Sequence, residues 1–335
     1  MATLELILVL GPPGCGKTTV AKEILADFQR NRKTIDRLNR DEIGGSIANI
    51  ATLADLNLSK GRSVLADNTY PTCESRAAII AAGKKWGAQI TVYALQRTKE
   101  QCQFLAARRM FQKLGRLIST SEIKNLEGDD PGVFPPVVQS VYFKRYEAPT
   151  LDAGIDLIHE KHLSVMGTGG AAIISGSPIV LGTDYVNKAL ILDYDGTLRQ
   201  TKSGEKYPRT PDDVEILPGR LKKLSEYREK GYMLLGASNQ SGVSKGTLSN
   251  DDAIACFERT NKLLDIFIHY KFCPHVAGPP QCYCRKPMPG MGVELIETFK
   301  LDPSQCIMVG DMTTDMTFAA RCGFKGVRAN EFFNA

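Results

Sequence analysis

Short apolar runs alternate with segments of helical period along most of this chain. Leu4–Leu10 is apolar on both faces and stops at Gly11-Pro12-Pro13-Gly14, which predicts a buried first strand. Lys17–Arg30 then places Val20, Ile24 and Phe28 on one helical face. Arg62–Ala66 and Ile90–Leu95 read as further strands, with a helix near Ser75–Trp86 between them. Five glycines and two serines interrupt the pattern between Met166 and Thr183, which predicts a linker. Two apolar patches, Ile173-Ile174 and Ile179–Leu181, are able to pack inside it. A second α/β pattern begins at Lys188, with strands at Ala189–Leu192, Tyr232–Ala237 and Cys306–Val309. The expected organisation is therefore two parallel α/β domains, residues 1–162 and 187–335, joined by a Gly/Ser-rich linker at 163–186.

Composition narrows the class without changing that picture. A chain of 335 residues with 43% hydrophobic and 24% charged positions is an ordinary globular protein, long enough for two cores. It has no apolar stretch of about 18 residues, so no membrane partner is expected. The apolar start lacks a preceding basic region, so it reads as a strand and not as a signal peptide. A cytoplasmic or otherwise intracellular protein is the expectation, its nine cysteines reduced. The net charge of +5 is modest, but seven basic and two acidic residues fall between Arg97 and Lys124. That stretch is a candidate polyanion contact or a solvated helix face.

Gly11–Thr18 reads G-P-P-G-C-G-K-T, a full match to the phosphate-binding loop pattern, between a predicted strand and a predicted helix. Gly11, Gly14 and Gly16 let successive N–H groups curl around a β-phosphate at the helix N-terminus. Lys17 would neutralise β/γ oxygens and the Thr18 hydroxyl would bind Mg²⁺, with ATP as phosphate donor. The alternative is a Gly-Pro turn before a helix. Asp41, in Asn39-Arg40-Asp41, could take a proton from an attacking hydroxyl. Asp67, ending the strand Val64–Ala66, could orient the metal; for both acids a solvated loop position or a helix cap is the competing explanation.

These segments, with Asp67-Asn68-Thr69 and Tyr146-Glu147-Ala148-Pro149-Thr150, together resemble the kinase domain of polynucleotide kinase/phosphatases. The resemblance covers most of residues 1–160 and implies a P-loop NTPase-type sheet. It implies that Asp41 is the general base for a 5′-hydroxyl and that lid arginines clamp the transferring phosphate. Arg108 and Arg109 are the candidates for that clamp, with Arg116 a further one. The phage-type pattern has an arginine three residues after the base, where this chain has Gly44.

Asp193-Tyr194-Asp195-Gly196-Thr197 follows a strand that is apolar on both faces. Carboxylates at i and i+2 can address one site at a strand end, one attacking phosphorus while the other protonates the leaving oxygen. The run resembles motif I of the haloacid-dehalogenase (HAD) phosphatases. The later motifs follow in order at Ser238-Asn239-Gln240, Arg285-Lys286-Pro287 and Gly310–Asp315. The resemblance implies a Rossmann-like parallel sheet with Asp193 as nucleophile and Asp195 as general acid/base. Ser238 and Lys286 would hold the phosphoryl group, with Asn239 in support. Mg²⁺ would sit on Asp193, the Asp195 carbonyl and Asp311, with Asp315 supporting that shell.

Cys273, His275, Cys282 and Cys284 form a complete tetrahedral Zn²⁺ donor set with no open position for chemistry, which predicts a structural site; buried unmetallated cysteines are the alternative. The inserted loop looks like that of the histidinol-phosphate and heptose-bisphosphate phosphatase branch of the HAD family. Arg285-Lys286 follow the last ligand at once, so the metal would also position the cation. His159, His162 and His269 lack comparable partners and read as structural.

The resemblances together imply a bifunctional enzyme that heals nucleic-acid ends, DNA or RNA, as a 5′-hydroxyl kinase and 3′-phosphatase. The zinc loop supports an alternative, a kinase/phosphatase for a small sugar or nucleoside phosphate. A nucleotide-gated scaffold that binds ends without turnover is the third, opposed by intact Lys17, Asp193 and Asp195.

Overall fold

The computed structural model describes residues 3–126, 130, 132–162, 170–278 and 282–334. The chain divides into two compact units, one of residues 1–102 and 137–163, the other of residues 103–136 and 164–335.

The first unit is a five-stranded parallel sheet of order β2-β3-β1-β4-β5, made of β1 (Glu5–Leu10), β2 (Ile35–Leu38), β3 (Ser63–Asp67), β4 (Gln89–Gln96) and β5 (Leu157–His162). The connections carry α1 (Lys17–Arg30), α2 (Arg40–Ile43), α3 (Ile47–Ser59) and α4 (Cys73–Lys85). Strand β1 is central and buried on both faces. Leu6, Leu8 and Leu10 pack with Ile50 and Ile79, whereas Ile7 and Val9 pack with Val20 and Ile24 of α1. The two-residue period of a strand produces this split, and it explains the continuous apolar run. Because β1 lies between β3 and β4, the loop after it opens at the point where the strand order reverses, the usual ligand position of such sheets.

The second unit repeats the logic with the order β12-β11-β8-β13-β14. Its parallel strands are β8 (Ala189–Leu192), β11 (Met233–Asn239), β12 (His269–Cys273), β13 (Ile307–Gly310) and β14 (Lys325–Arg328). The small ribbons are β6 (Gly170–Ile174) with β7 (Ser177–Gly182), and β9 (Arg199–Thr201) with β10 (Val214–Ile216), both antiparallel. Helices α8 (Arg220–Glu229), α9 (Asn250–Leu264), α10 (Gly290–Phe299), α11 (Thr313–Cys322) and α12 (Ala329–Asn334) complete this part. Again the central strand divides by parity: Ala189 and Ile191 join one core, Leu190 and Leu192 the other.

Two expectations need correction. Residues 170–182 are a hairpin, not an open linker: Ala172, Ile174, Ile179 and Leu181 are buried with Phe318 and Phe324, and so is Tyr185. The apolar patches outweigh the glycines because that core is there to receive them. Residues 163–169 lie outside the described residues. The second correction concerns the boundary at 162. Most of α5 (Lys99–Leu114), with α6 (Thr120–Leu126), belongs to the second unit, and α7 (Pro136–Arg145) returns to the first. Phe104, Ala107, Met110, Ile118 and Ile123 bury against Met288, Met291 and neighbours, so apolar contact sets the division and chain order does not. Among the described residues no helix is long and apolar enough to cross a membrane.

Candidate active sites

In the first unit, Gly14 and Gly16 adopt positive φ of 85° and 102°, where a β-carbon is disfavoured, and Gly16 leads directly into α1. Two side chains not anticipated from the sequence brace this loop. Gln139 of α7 donates to the Pro13 carbonyl at 3.1 Å, and Arg97 donates through Nε to the Cys15 carbonyl at 3.0 Å. Across a trans peptide the carbonyl and the next N–H point opposite ways. Anchoring those carbonyls therefore turns the Gly14 and Gly16 N–H groups the other way, as an anion cradle needs. The Lys17 ammonium donates to the Gly11 and Pro12 carbonyls, each at 3.0 Å.

Asn39 ties the neighbouring loops together. Its Oδ1 caps α2 by accepting from the Asp41 N–H at 2.8 Å, and its Nδ2 donates to the Asp67 carbonyl at 2.9 Å. Asn68 Oδ1 returns a bond to the Arg40 N–H at 3.1 Å. Asp41 is thereby delivered beyond the end of β2, its side chain 46% exposed with Arg40 at 3.5 Å. Asp67 is different from expectation. Its fully buried carboxylate takes Arg37 at both oxygens, Nε at 3.0 Å and Nη2 at 2.8 Å. Burial opposes the Arg37 charge, but Asp67 and Glu42 outweigh it and hold its pKa above the ordinary value. This pairing makes Asp67 a strut between β2 and β3, while each oxygen keeps a further lone pair for the metal expected there.

The lid candidates lie in the second unit. Arg108 is committed there: Nε to Glu297 at 2.6 Å, Nη2 to the Leu181 carbonyl at 3.0 Å, and the guanidinium 5.6 Å from the Tyr185 ring centre. A guanidinium neutralised in this way is a structural tie, against the clamp role expected of Arg108. Arg116 pairs with Glu122 and Lys113 with Asp130, both at 2.6 Å.

In the second unit the site forms at the C-terminal ends of β8, β11 and β13. Lys286 is almost wholly buried, with Asp193 at 2.8 Å and Asp315 at 2.7 Å. Burial pushes the Asp193 carboxyl up to about 6 against the pull of Lys286. Burial alone would lower Lys286, but Asp193 and Asp315 hold it above its ordinary value. Asp311 is raised by burial and by the charge of Asp315. Oxygens of Asp193, Asp311 and Asp315 all lie within 4.8 Å of one another, a hard-donor set suited to Mg²⁺. Gly196 is required here, since its φ is 79° and a β-carbon would come within 2.6 Å of Asp311 Oδ2.

Ser238 is buried at the end of β11, where its Oγ accepts from Gln240 Nε2 at 3.1 Å. Asp195 is gripped on both oxygens by residues to which the motif pattern assigned no role: Arg199 Nε on Oδ1 at 2.7 Å and Gln240 Nε2 on Oδ2 at 2.8 Å.

The four expected zinc donors converge. Cys273 Sγ lies 3.7 Å from Cys282 Sγ and 3.2 Å from Cys284 Sγ, and His275 Nδ1 lies 3.4 Å and 3.3 Å from Cys273 and Cys284 Sγ. Tetrahedral sulfurs at about 2.3 Å from Zn²⁺ stand roughly 3.7 Å apart, so the donor set fits that ion. Residues 279–281 of the loop, including Pro279 and Pro280, lie outside the described residues. Arg285, next to the last ligand, donates to the His275 carbonyl at 2.8 Å.

Residues 188–333 match the family model described as polynucleotide kinase 3 phosphatase, and residues 6–117 match one described as an AAA domain. The D-glycero-beta-D-manno-heptose-1,7-bisphosphate 7-phosphatase of Haemophilus influenzae is 35% identical over 140 residues, covering 39% of this chain and 74% of the relative. A D-glycero-alpha-D-manno-heptose-1,7-bisphosphate 7-phosphatase of Campylobacter jejuni is 32% identical over 38% of this chain and 74% of the relative. Among solved structures, a chain of the Pnkp1/Rnl/Hen1 RNA repair complex aligns with 98% of this chain and 96% of its own length, at 14% identity and a TM-score of 0.30.

Proposed function

The chain belongs to the HAD phosphatases through its second half, beside a kinase-like P-loop domain, and on that footing we propose a bifunctional enzyme that heals nucleic-acid ends. Its activities are an ATP-dependent 5′-hydroxyl kinase and a Mg²⁺-dependent 3′-phosphatase. The observation that carries this proposal is the co-occurrence in one chain of two separately built phosphate sites. One is the braced P-loop, with Asp41 just beyond the end of β2 in the same unit; the other is the Asp193–Lys286–Asp315 cluster with a second carboxylate at Asp195.

In the kinase, ATP lies with its phosphates against the Gly14 and Gly16 N–H groups and Lys17. Asp41 accepts the proton of the 5′-hydroxyl as its oxygen bonds to the γ-phosphorus and ADP departs. The Thr18 hydroxyl would hold Mg²⁺, which would supply positive charge at the phosphates, and Arg109 remains the lid candidate.

In the phosphatase, an Asp193 oxygen bonds to phosphorus while the ester P–O bond breaks, and Asp195 gives the leaving oxygen its proton. Water then attacks the phosphoaspartyl group, Asp195 recovers a proton from it, and phosphate leaves. Lys286 and Ser238 bind the phosphoryl oxygens. Asp193, Asp311, the Asp195 carbonyl and the supporting Asp315 would hold Mg²⁺, which supplies the positive charge that lets a carboxylate approach a phosphate dianion. Zn²⁺ on Cys273, His275, Cys282 and Cys284 would fix the loop that ends at Lys286.

A second reading is favoured by a specific observation. Arg108, Lys113 and Arg116, three cations of the basic stretch, are already paired with Glu297, Asp130 and Glu122. Relatives of the second half are named for heptose bisphosphates, so a small phosphate ester is the competing substrate class. Turnover of a 5′-hydroxyl, 3′-phosphate oligonucleotide beside a panel of sugar and nucleoside phosphates separates the two. End healing predicts higher kcat/KM on the oligonucleotide, falling with salt through counterion release. Equal or higher efficiency on a small ester at low salt overturns it.

A further inference from the structure

Arg199 is the most deeply buried cation of the phosphatase unit that the reaction scheme does not use; it is 1% exposed. Desolvating a guanidinium is costly unless its donors are taken up, and here Nε and Nη1 are both bonded. Nε donates to Asp195 Oδ1 at 2.7 Å, and Nη1 donates to the Cys256 carbonyl at 2.7 Å and to Thr260 Oγ1 at 3.0 Å. The Tyr194 and Phe257 rings flank the guanidinium with centroids at 5.2 Å and 4.9 Å. Cys256, Phe257 and Thr260 all belong to α9, so the cation is pinned to a rigid helix and reaches across to the motif loop. The loop is pinned in turn, because the Leu198 and Arg199 N–H groups return to the Tyr194 carbonyl at 2.8 Å and 3.0 Å.

We propose that Arg199 is the positioning residue of the phosphatase, acting with Gln240 to hold the Asp195 carboxyl in one orientation for proton transfer. Gln240 takes the second oxygen, and its amide also donates to Ser238 Oγ, so the Asp195 rotamer is tied to a phosphoryl-binding hydroxyl. Arg199 touches neither the phosphoryl group nor its ligands in this scheme; it acts through Asp195. Proton transfer depends on heavy-atom distance and angle, and a carboxyl on a loop keeps both only when a surrounding layer locks it. The proposal rests on Asp195 being the proton donor.

The consequence is a dependence on the leaving group. A p-nitrophenolate departs without a proton, whereas an alkoxide needs one. The readout is the ratio of kcat/KM for an alkyl phosphate, the one turned over best in a panel of nucleoside 3′-phosphates and sugar phosphates, to that for p-nitrophenyl phosphate. In holoenzyme with Mg²⁺, R199M should lower this ratio about 10- to 100-fold, a part of the roughly 100- to 10,000-fold that a general acid supplies. R199K, which keeps one charged donor, should restore part of it. Q240A should lower it in the same direction, and it decides the question if R199M does not fold. D195N must lower the ratio at least as far. If D195N reduces both substrates equally, the assignment of Asp195 fails. If D195N shows the split and neither R199M nor Q240A does, the positioning role is overturned and Arg199 is only a buried strut.

Discussion

The Asn239 side-chain amide holds the Lys286 backbone twice, across 47 residues of sequence. Asn239 Nδ2 donates to the Lys286 carbonyl and its Oδ1 accepts from the Lys286 N–H, both at 3.0 Å. The support expected of Asn239 is therefore exerted on the backbone that carries the lysine proposed to bind phosphate, fastened from β11 on one side and by the cysteine loop on the other.

Removing that double bond should show in activity. Asn239→Ala loses two hydrogen bonds worth about 1 kcal/mol each. The expected outcome is a roughly tenfold lower phosphatase kcat/KM, with ATP binding at the P-loop unchanged. Steady-state kinetics beside nucleotide titration of the same preparation checks it.

The two activities should separate by mutation, since each unit carries its own phosphate-binding groups. Lys17→Ala is expected to abolish phosphoryl transfer from ATP and leave the phosphatase within about threefold, because the lysine is replaced at the β/γ-phosphates alone. Asp193→Asn should do the reverse by removing the nucleophile. Loss of both activities from either folded variant contradicts the two-site scheme.

Metal analysis tests the cysteine loop. A closed site of three thiolates and one imidazole should retain about one zinc per chain through purification. Cys282→Ser should reduce zinc content and phosphatase activity together and spare the kinase. Full phosphatase activity in zinc-free protein would remove the link between the loop and Lys286.

Arg108 should matter for stability. Its partner Glu297 is almost buried and also accepts from Gln112 at 3.1 Å. Arg108→Ala leaves that carboxylate without its cation, at a cost of about 3 kcal/mol. Chemical denaturation followed in the phosphatase unit should register the loss, and adding Glu297→Gln should recover part of it. A variant with unchanged stability and impaired phosphoryl transfer would return Arg108 to the lid.

Much of this protein was legible in the chain itself because the relevant signals are local. The continuous apolar run of β1 and the Gly11–Thr18 pattern place a phosphate loop at a strand end without any long-range knowledge, and α1 falls at Lys17–Arg30 as its period requires. The strand Ala189–Leu192 followed by two acids two residues apart is equally self-contained. The four expected zinc donors lie within twelve residues, so their convergence needs little from the rest of the fold. Short or polar strands were not legible. Strand β2 has four residues, two of them charged, and β12 and β14 are held by parallel neighbours far away in sequence. The partners of the acids were also beyond reach. Arg37 on Asp67, Gln240 on Asp195, and Glu297 on Arg108 are set by which elements pack side by side, and no spacing encodes that; Arg199, four residues after Asp195, is a local partner that the motif pattern gave no role. The hairpin at 170–182 looks like a linker by its glycines and becomes structure only because a core receives its isoleucines. Periodicity and motif chemistry are properties of neighbouring residues; the direction of a charged side chain is decided by what the tertiary fold leaves it to bind.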